Sequence, residues 1–292
     1  EPMPSGAPLP VTVAIQGGTF TVNSHLGQFD LYLGDSRVRV EKIAIDTVDE
    51  KGLPVNVVLN DYAIASHLEE DAKNVSGNVE YGMGSILVSG VDVGRFNATV
   101  RFGNLDGQAI KRIMARYREL LPQLMAESSQ PAEPGQLPPV LDAFLQESLE
   151  ALLPGQPTFG LDPVRWALPA GESSIRLNMA LQPPAASSPD TDLLRTVRSM
   201  DMAVVVSRAM VVELMTRLAQ MPGGAAPPSA QEARAGANAN FDFIQQMALS
   251  SGYVVREGEN LVARLSYADG QIRLNGEQLS LQDLLGQLPV QP

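Results

Sequence analysis

The amino-acid sequence predicts an α+β protein: long antiparallel strands forming one or two curved β-sheets, with amphipathic helices packed on one side. Three observations lead there. Up to residue 104, apolar residues alternate with polar ones, the period of strands with one wet face. Beyond it, apolar residues also recur at the three- and four-residue spacing of amphipathic helices, in stretches interleaved with further strands. Finally, 44% of the 292 residues are apolar, enough for a sizeable core, while 25 Gly and 22 Pro imply many turns. The chain divides into a β-meander part, 1–104, and an α+β part, 105–292, continuous with each other as one elongated unit.

In order along the first part, Val11, Val13 and Ile15 alternate and Gly17-Gly18 reads as a turn. Val38 and Val40 alternate, then Ile43 and Ile45 follow one position out of phase, which predicts a bulge near Glu41-Lys42. Val55, Val57 and Leu59 are followed by Tyr62 and Ile64, again out of phase. Val75, Val79 and Tyr81, then Ile86 and Val88, then Phe96, Ala98, Val100 and Phe102 complete an antiparallel meander.

Asp106 reads as the N-cap of a helix whose stripe runs from Ile110 to Leu124. A Pro-rich loop over 127–139 precedes a second helix, Val140–Leu152, stopped by Pro154-Gly155. Strands follow at Phe159–Leu168 and at Ile175, Leu177, Met179 and Leu181. After a loop over Pro183–Pro189, a strand runs from Met200 to Val206. Ser207 caps a helix carrying Met210, Val211, Leu214, Met215 and Leu218, and a further helix spans about 230–249. Tyr253–Val255, Leu261–Tyr267 and Gln271–Leu274 are strands, with Asp269-Gly270 as a tight hairpin turn. Ser280 and Asp283 start a short terminal helix through Leu285. Residues 95–124 and 197–218 both run from strand into amphipathic helix, a faint internal echo.

The formal charge of −12 argues against a nucleic-acid partner, since phosphate binding needs a basic surface. With no Cys, disulfides, thiolate metal sites and cysteine nucleophiles are excluded. Nucleotide-binding loops and the Gly-x-Ser-x-Gly elbow are absent, and no catalytic, cofactor-binding or metal-binding residue is assigned. His67, Glu69, Glu70 and Asp71 form the densest cluster of ligand-capable groups, read as a solvated acidic loop, and His25 reads as a turn residue. Asp190 and Asp192 read as helix-start residues. Lys111, Arg112, Arg116 and Arg118 make either a solvated basic face or a contact with an anionic lipid surface. Methionine suits irregular apolar sites as well as cores, so Met202, Met210, Leu214, Met215 and Leu218 are candidate linings for an apolar ligand; they would equally fill a closed core.

Several stretches together resemble one family: "LGQFDLYLGDSRVRVEKIAI", "VRFGNLDGQAIKRIM", "LEALLPGQPTFGLDPVRWALPAG" and "LSYADGQIRLNGEQLSLQDLL". The chain is similar, from about residue 26 to 286, to the YdgA-like family of Gram-negative bacterial proteins of unknown function. The resemblance implies a longer precursor with a single N-terminal membrane helix upstream of Glu1, placing this region in the periplasm, tethered to the inner membrane. It implies no reaction and no cofactor. The expected function is that of a non-enzymatic periplasmic envelope protein, a structural or protein-interaction module. An alternative is a carrier or sensor of apolar ligands such as lipids, and a third is a carboxylate-dependent hydrolase. The expected partners are an envelope protein or lipid; the sequence leaves the oligomeric state open.

Overall fold

The structure, a computed structural model, describes residues 11–49, 52–128, 137–184, 196–221 and 227–280. Five long strands come first: β1 (Thr12–Leu26), β2 (Tyr32–Val48), β3 (Pro54–Glu70), β4 (Asn74–Val88) and β5 (Val91–Asp106). Helices α1 (Gly107–Ser128) and α2 (Pro139–Leu152) follow, the second closed by a 3-10 turn over Leu153–Gly155. Strands β6 (Thr158–Leu168), β7 (Gly171–Leu181) and β8 (Val197–Val206) lead to α3 (Arg208–Ala219) and α4 (Ala230–Ser250). Four short strands end the described chain: β9 (Val255–Glu257), β10 (Asn260–Ala268), β11 (Gln271–Leu274) and β12 (Glu277–Leu279).

All twelve strands belong to one antiparallel sheet, in the order β1 to β8, then β10, β11 and β12, with β9 paired to β10 off this path. Tight turns join many of the consecutive strands, whereas helices lie between β5 and β6 and between β8 and β9. Ser89-Gly90, Asp269-Gly270 and Asn275-Gly276 each have two successive positive φ angles, the backbone that matches hairpin twist. β5 pairs with β6, so the ladder passes directly from the residues before 104 to those after.

The phase slips expected from the sequence are where the ladder is interrupted. Glu41 is unpaired between Lys42 and Val40 on β2, and Asp61, at φ 52°, is unpaired on β3. Gly17 lies in the same row on β1, at φ 61°. The expected turn at Gly17-Gly18 is therefore corrected: β1 runs straight on, and the positive φ that glycine permits serves a strand irregularity instead of a chain reversal. A side chain at Gly17 would meet the Glu41 carboxylate, so the row is filled from the neighbouring strand. Two loop assignments are corrected likewise. His67, Glu69 and Glu70 lie within β3, His25 lies in β1 opposite Leu33, and the β3–β4 turn is confined to Asp71–Lys73.

Helix starts follow the capping residues. The Asp106 carboxylate accepts from Ala109 N at 2.8 Å, and the Ser207 hydroxyl from Met210 N at 3.4 Å. Ser229 and Glu232 form a reciprocal capping box on α4. Two cores result. Phe29, Val75 and Leu105 are packed by Leu68, Phe102, Ile110, Leu152 and Phe159, joining α1 and α2 to one end of the central strands. Val212, Ala237, Phe241 and Leu261 join α3 and α4 to the other end, with Val206 and Met215 against them. The expected terminal helix beyond Ser280, and Asp190 and Asp192, lie outside the described residues.

Candidate functional site

Antiparallel register determines which side chains share a face, because directly paired residues point to the same side. One transverse row reads Val22, Ser36, Ser66, Val79, Val100, Leu161, Leu177, Met202, Leu265 and Leu274, every neighbour paired. It crosses ten strands, roughly 43 Å at the usual inter-strand spacing. The two serine hydroxyls share one hydrogen bond at 2.7 Å, so the polar interruption is satisfied within the row. Beside it run Phe20, Val38, Ile64, Tyr81 and Ala98, and beyond the slip Ile15, Ile43, Leu59 and Ile86. The slip keeps these on the same face: without it, a strict alternation would carry Ile43 and Leu59 to the other side.

The adjacent row, on the opposite face, reads Asn23, Asp35, His67, Asn78, Arg101, Gly160, Asn178, Asp201, Ser266 and Arg273. It holds no large apolar side chain. Sheet faces are thus separated by chemistry over ten strands, one an apolar track and the other a polar surface with ion pairs such as Arg101–Asp162 at 3.1 Å.

The helices touch the track's flanks. Ile110 and Leu152 pack with Leu68, Phe102 and Phe159, which lie on the apolar face at one end of the strands. At the other end, the Ser173 hydroxyl donates to Met210 Sδ at 3.6 Å and accepts from Ser207 N at 3.0 Å, seating α3 on β7. Between Ser173 and Met179 lies roughly 20 Å of strand carrying Ile175 and Leu177. Ile175 is 42% exposed and Leu177 half-buried, as are most residues of the track.

The five residues predicted to line an apolar site are dispersed. Met202 lies in the track, half-buried between Leu177 and Leu265. Met210 is buried under α3, Met215 packs against the Val212–Phe241–Leu261 core, Leu214 is half-buried, and Leu218 is 41% exposed near the end of α3. A cleft of about 640 Å³ beside α3 and α4 is lined by none of them. Two of its three cations have carboxylate partners: Arg208 bonds Asp242 at 2.6 Å, which raises the guanidinium's pKa above its ordinary value, and Arg217 bonds Glu213 and Asp92. Sequence reading missed the track as a unit. Its signal, alternation in each strand, is present, but the transverse order depends on pairing.

On the polar face, His67 Nδ1 lies 2.9 Å from Asp35 Oδ1, the first part-exposed and the second exposed, over a shallow cleft of about 370 Å³. The nearest hydroxyl by sequence, Ser66, points to the other face and is engaged by Ser36. The carboxyls with displaced pKa values, Asp71, Glu232 and Glu257, all titrate below their ordinary values, through bonds from Asn74 and Lys73 backbone, Ser229 and Arg264 respectively. Those are turn, cap and ion-pair duties; a general acid needs the opposite shift. Of the basic α1 residues, Lys111 pairs with Asp30 at 2.7 Å and Arg116 with Glu119 and Glu147. Among the described residues, no helix is long and apolar enough to cross a membrane.

These features sit in a chain that belongs to a family of bacterial proteins of unknown function, DUF945, matched over residues 4–282. Within it, the chain is similar to Protein YdgA of Escherichia coli (strain K12), 27% identical over 274 residues, which are 90% of this chain and 52% of that protein. It is also similar to Uncharacterized protein YihF of the same organism, 21% identical over 270 residues, 91% of this chain and 55% of that one. The chain thus spans about half the length of these relatives. No solved structure matches it.

Proposed function

We propose that the chain is a non-enzymatic binding module of the bacterial cell envelope, working in the periplasm and tethered to the inner membrane in its full-length form. Its working surface is the apolar track, and its principal role is structural: holding a protein partner against that face. The sheet is taken as curved, with the four described helices on the apolar side, where Ile110, Leu152 and Met210 are seated. The observation that carries the reading is the continuous row from Val22 to Leu274, most of it left part-exposed, with Leu274 itself buried. Covering one half-exposed leucine is worth roughly 1 kcal/mol, so a partner lying along several of them gains useful affinity from this surface alone.

The test is site-specific photo-cross-linking in living cells, with a benzophenone amino acid at Ile175 or Leu177 on the track and at Arg176 or Asn178 on the polar face. Protein adducts confined to the track positions are expected. Equal adducts on both faces, or none, would overturn the proposal. A second reading, a carrier of apolar ligands, is favoured by the dimensions of the track and by Met179, Met200 and Met202 on it, since thioethers adapt to irregular chains. Lipid adducts at the same positions, together with a lipid retained in native mass spectrometry, would select it over the first.

A further inference from the structure

The outer edge of the sheet offers a separate surface. Among the described residues β1 pairs with β2 alone, so its other side presents backbone N–H and C=O groups without a described strand partner along 15 residues. Edge strands are ordinarily protected by charge, proline or brevity. β1 has none of these: Thr12–Leu26 contains no Lys, Arg, Asp, Glu or Pro, and His25 is its one titratable side chain. In a chain of net charge −12, this neutral edge is the place where two copies can approach without repulsion between opposed side chains.

The strand is also self-complementary. Read from its centre at Gly17 and Gly18, both directions meet a polar residue, a large apolar one, a small one and a valine: Gln16, Ile15, Ala14, Val13 one way, Thr19, Phe20, Thr21, Val22 the other. We propose that β1 pairs antiparallel with β1 of a second copy of this chain about a two-fold axis between Gly17 and Gly18. In that register Val13 faces Val22 and Ile15 faces Phe20 of the other copy, while Ala14 faces Thr21 and Gln16 faces Thr19. The slip at Gly17 makes this work. It places odd-numbered apolar residues before it and even-numbered ones after it on one face, and pairing across the axis brings odd onto even. The two glycines leave the axis free of side chains. Val13, Ile15, Phe20 and Val22 are 55%, 68%, 71% and 49% exposed, and each gains an apolar neighbour. Two sheets become one, and the track of one copy continues into the other. The inference does not depend on what the track binds.

The absence of Cys from these 292 residues allows a register-specific test. Ala14→Cys and Thr21→Cys are exposed positions on the polar side of the edge. With a short thiol-to-thiol cross-linker, mixing the two variants is expected to give covalent dimer in ~tenfold excess over either alone, because like positions lie roughly 23 Å apart in this register. Sedimentation supplies the second arm. Gln16→Lys/Thr19→Lys is expected to sediment at the mass of one chain, and so is Gln16→Glu/Thr19→Glu, while their mixture returns to twice that mass. Circular dichroism verifies that each variant is folded. A wild-type chain that stays monomeric at all concentrations, a lysine variant that stays dimeric, or equal cross-linking with and without mixing would each overturn the proposal. The first result would mean that the edge is free or taken by a strand of the same molecule.

Discussion

Asp71 shows how much a single carboxylate does in so tight a meander. It accepts from Lys73 N and Asn74 N, each at 2.7 Å, closing the turn that reverses β3 into β4. These bonds, that from Asn74 first, hold its carboxyl below the ordinary 3.8. A depressed folded-state value contributes stability that is complete above the unfolded value and is lost as pH falls through the folded one. Asp71→Asn keeps the shape and removes the charge. Its melting temperature is therefore expected to lie below wild type at pH 7 and to converge with it once the pH drops below the carboxyl's titration in the folded chain; thermal melts across that range check it. Phe241 works differently. It is 1% exposed among Val212, Ala237 and Leu261, with the Arg208 guanidinium 5.1 Å above its ring. Phe241→Ala is expected to cost about 3–5 kcal/mol in urea denaturation, through the cavity it leaves between α3, α4 and β10.

Among the elements, helices were legible because their signals are local: Asp106 and Ser207 sit where caps are needed, and Pro154-Gly155 ends α2. The slips at Glu41 and before Tyr62 were legible too, since they shift apolar phase within one strand. Gly17 was misread because a glycine at positive φ serves a turn and a strand irregularity equally, and the ladder that decides between them is not local. His67, Glu69 and Glu70 were misread because polar side chains on the wet face of a strand look like a loop. Asp61 tests the account. At φ 52° it adopts a backbone that a β-branched residue resists, so Asp61→Val should destabilise the protein by about 1–2 kcal/mol, measured by urea denaturation. Asp61→Gly should be tolerated; equal losses for both would mean that the Arg39 contact at 3.2 Å matters more than the backbone.

For the molecule as a whole, one chemistry per face is the organising fact, and it was only half legible. Each strand's alternation is in the sequence, but Ser36, Val79, Leu161 and Met202 become one track through pairing between residues far apart. The proposed location is tested at the same scale. A periplasm-dependent phosphatase fused after Pro292 of the full-length protein is expected to be active, and a stable, inactive fusion would count against the periplasm. The aligned slips at Gly17, Glu41 and Asp61 have a consequence for descent. They act as a shared reading frame: a one-residue deletion inside any one strand would invert half of it, sending apolar residues into the polar row while its neighbours stayed put. Changes of length in this lineage should therefore accumulate in the turns and between the helices, and a strand that gains or loses a residue should do so only where its neighbour changes in the same row.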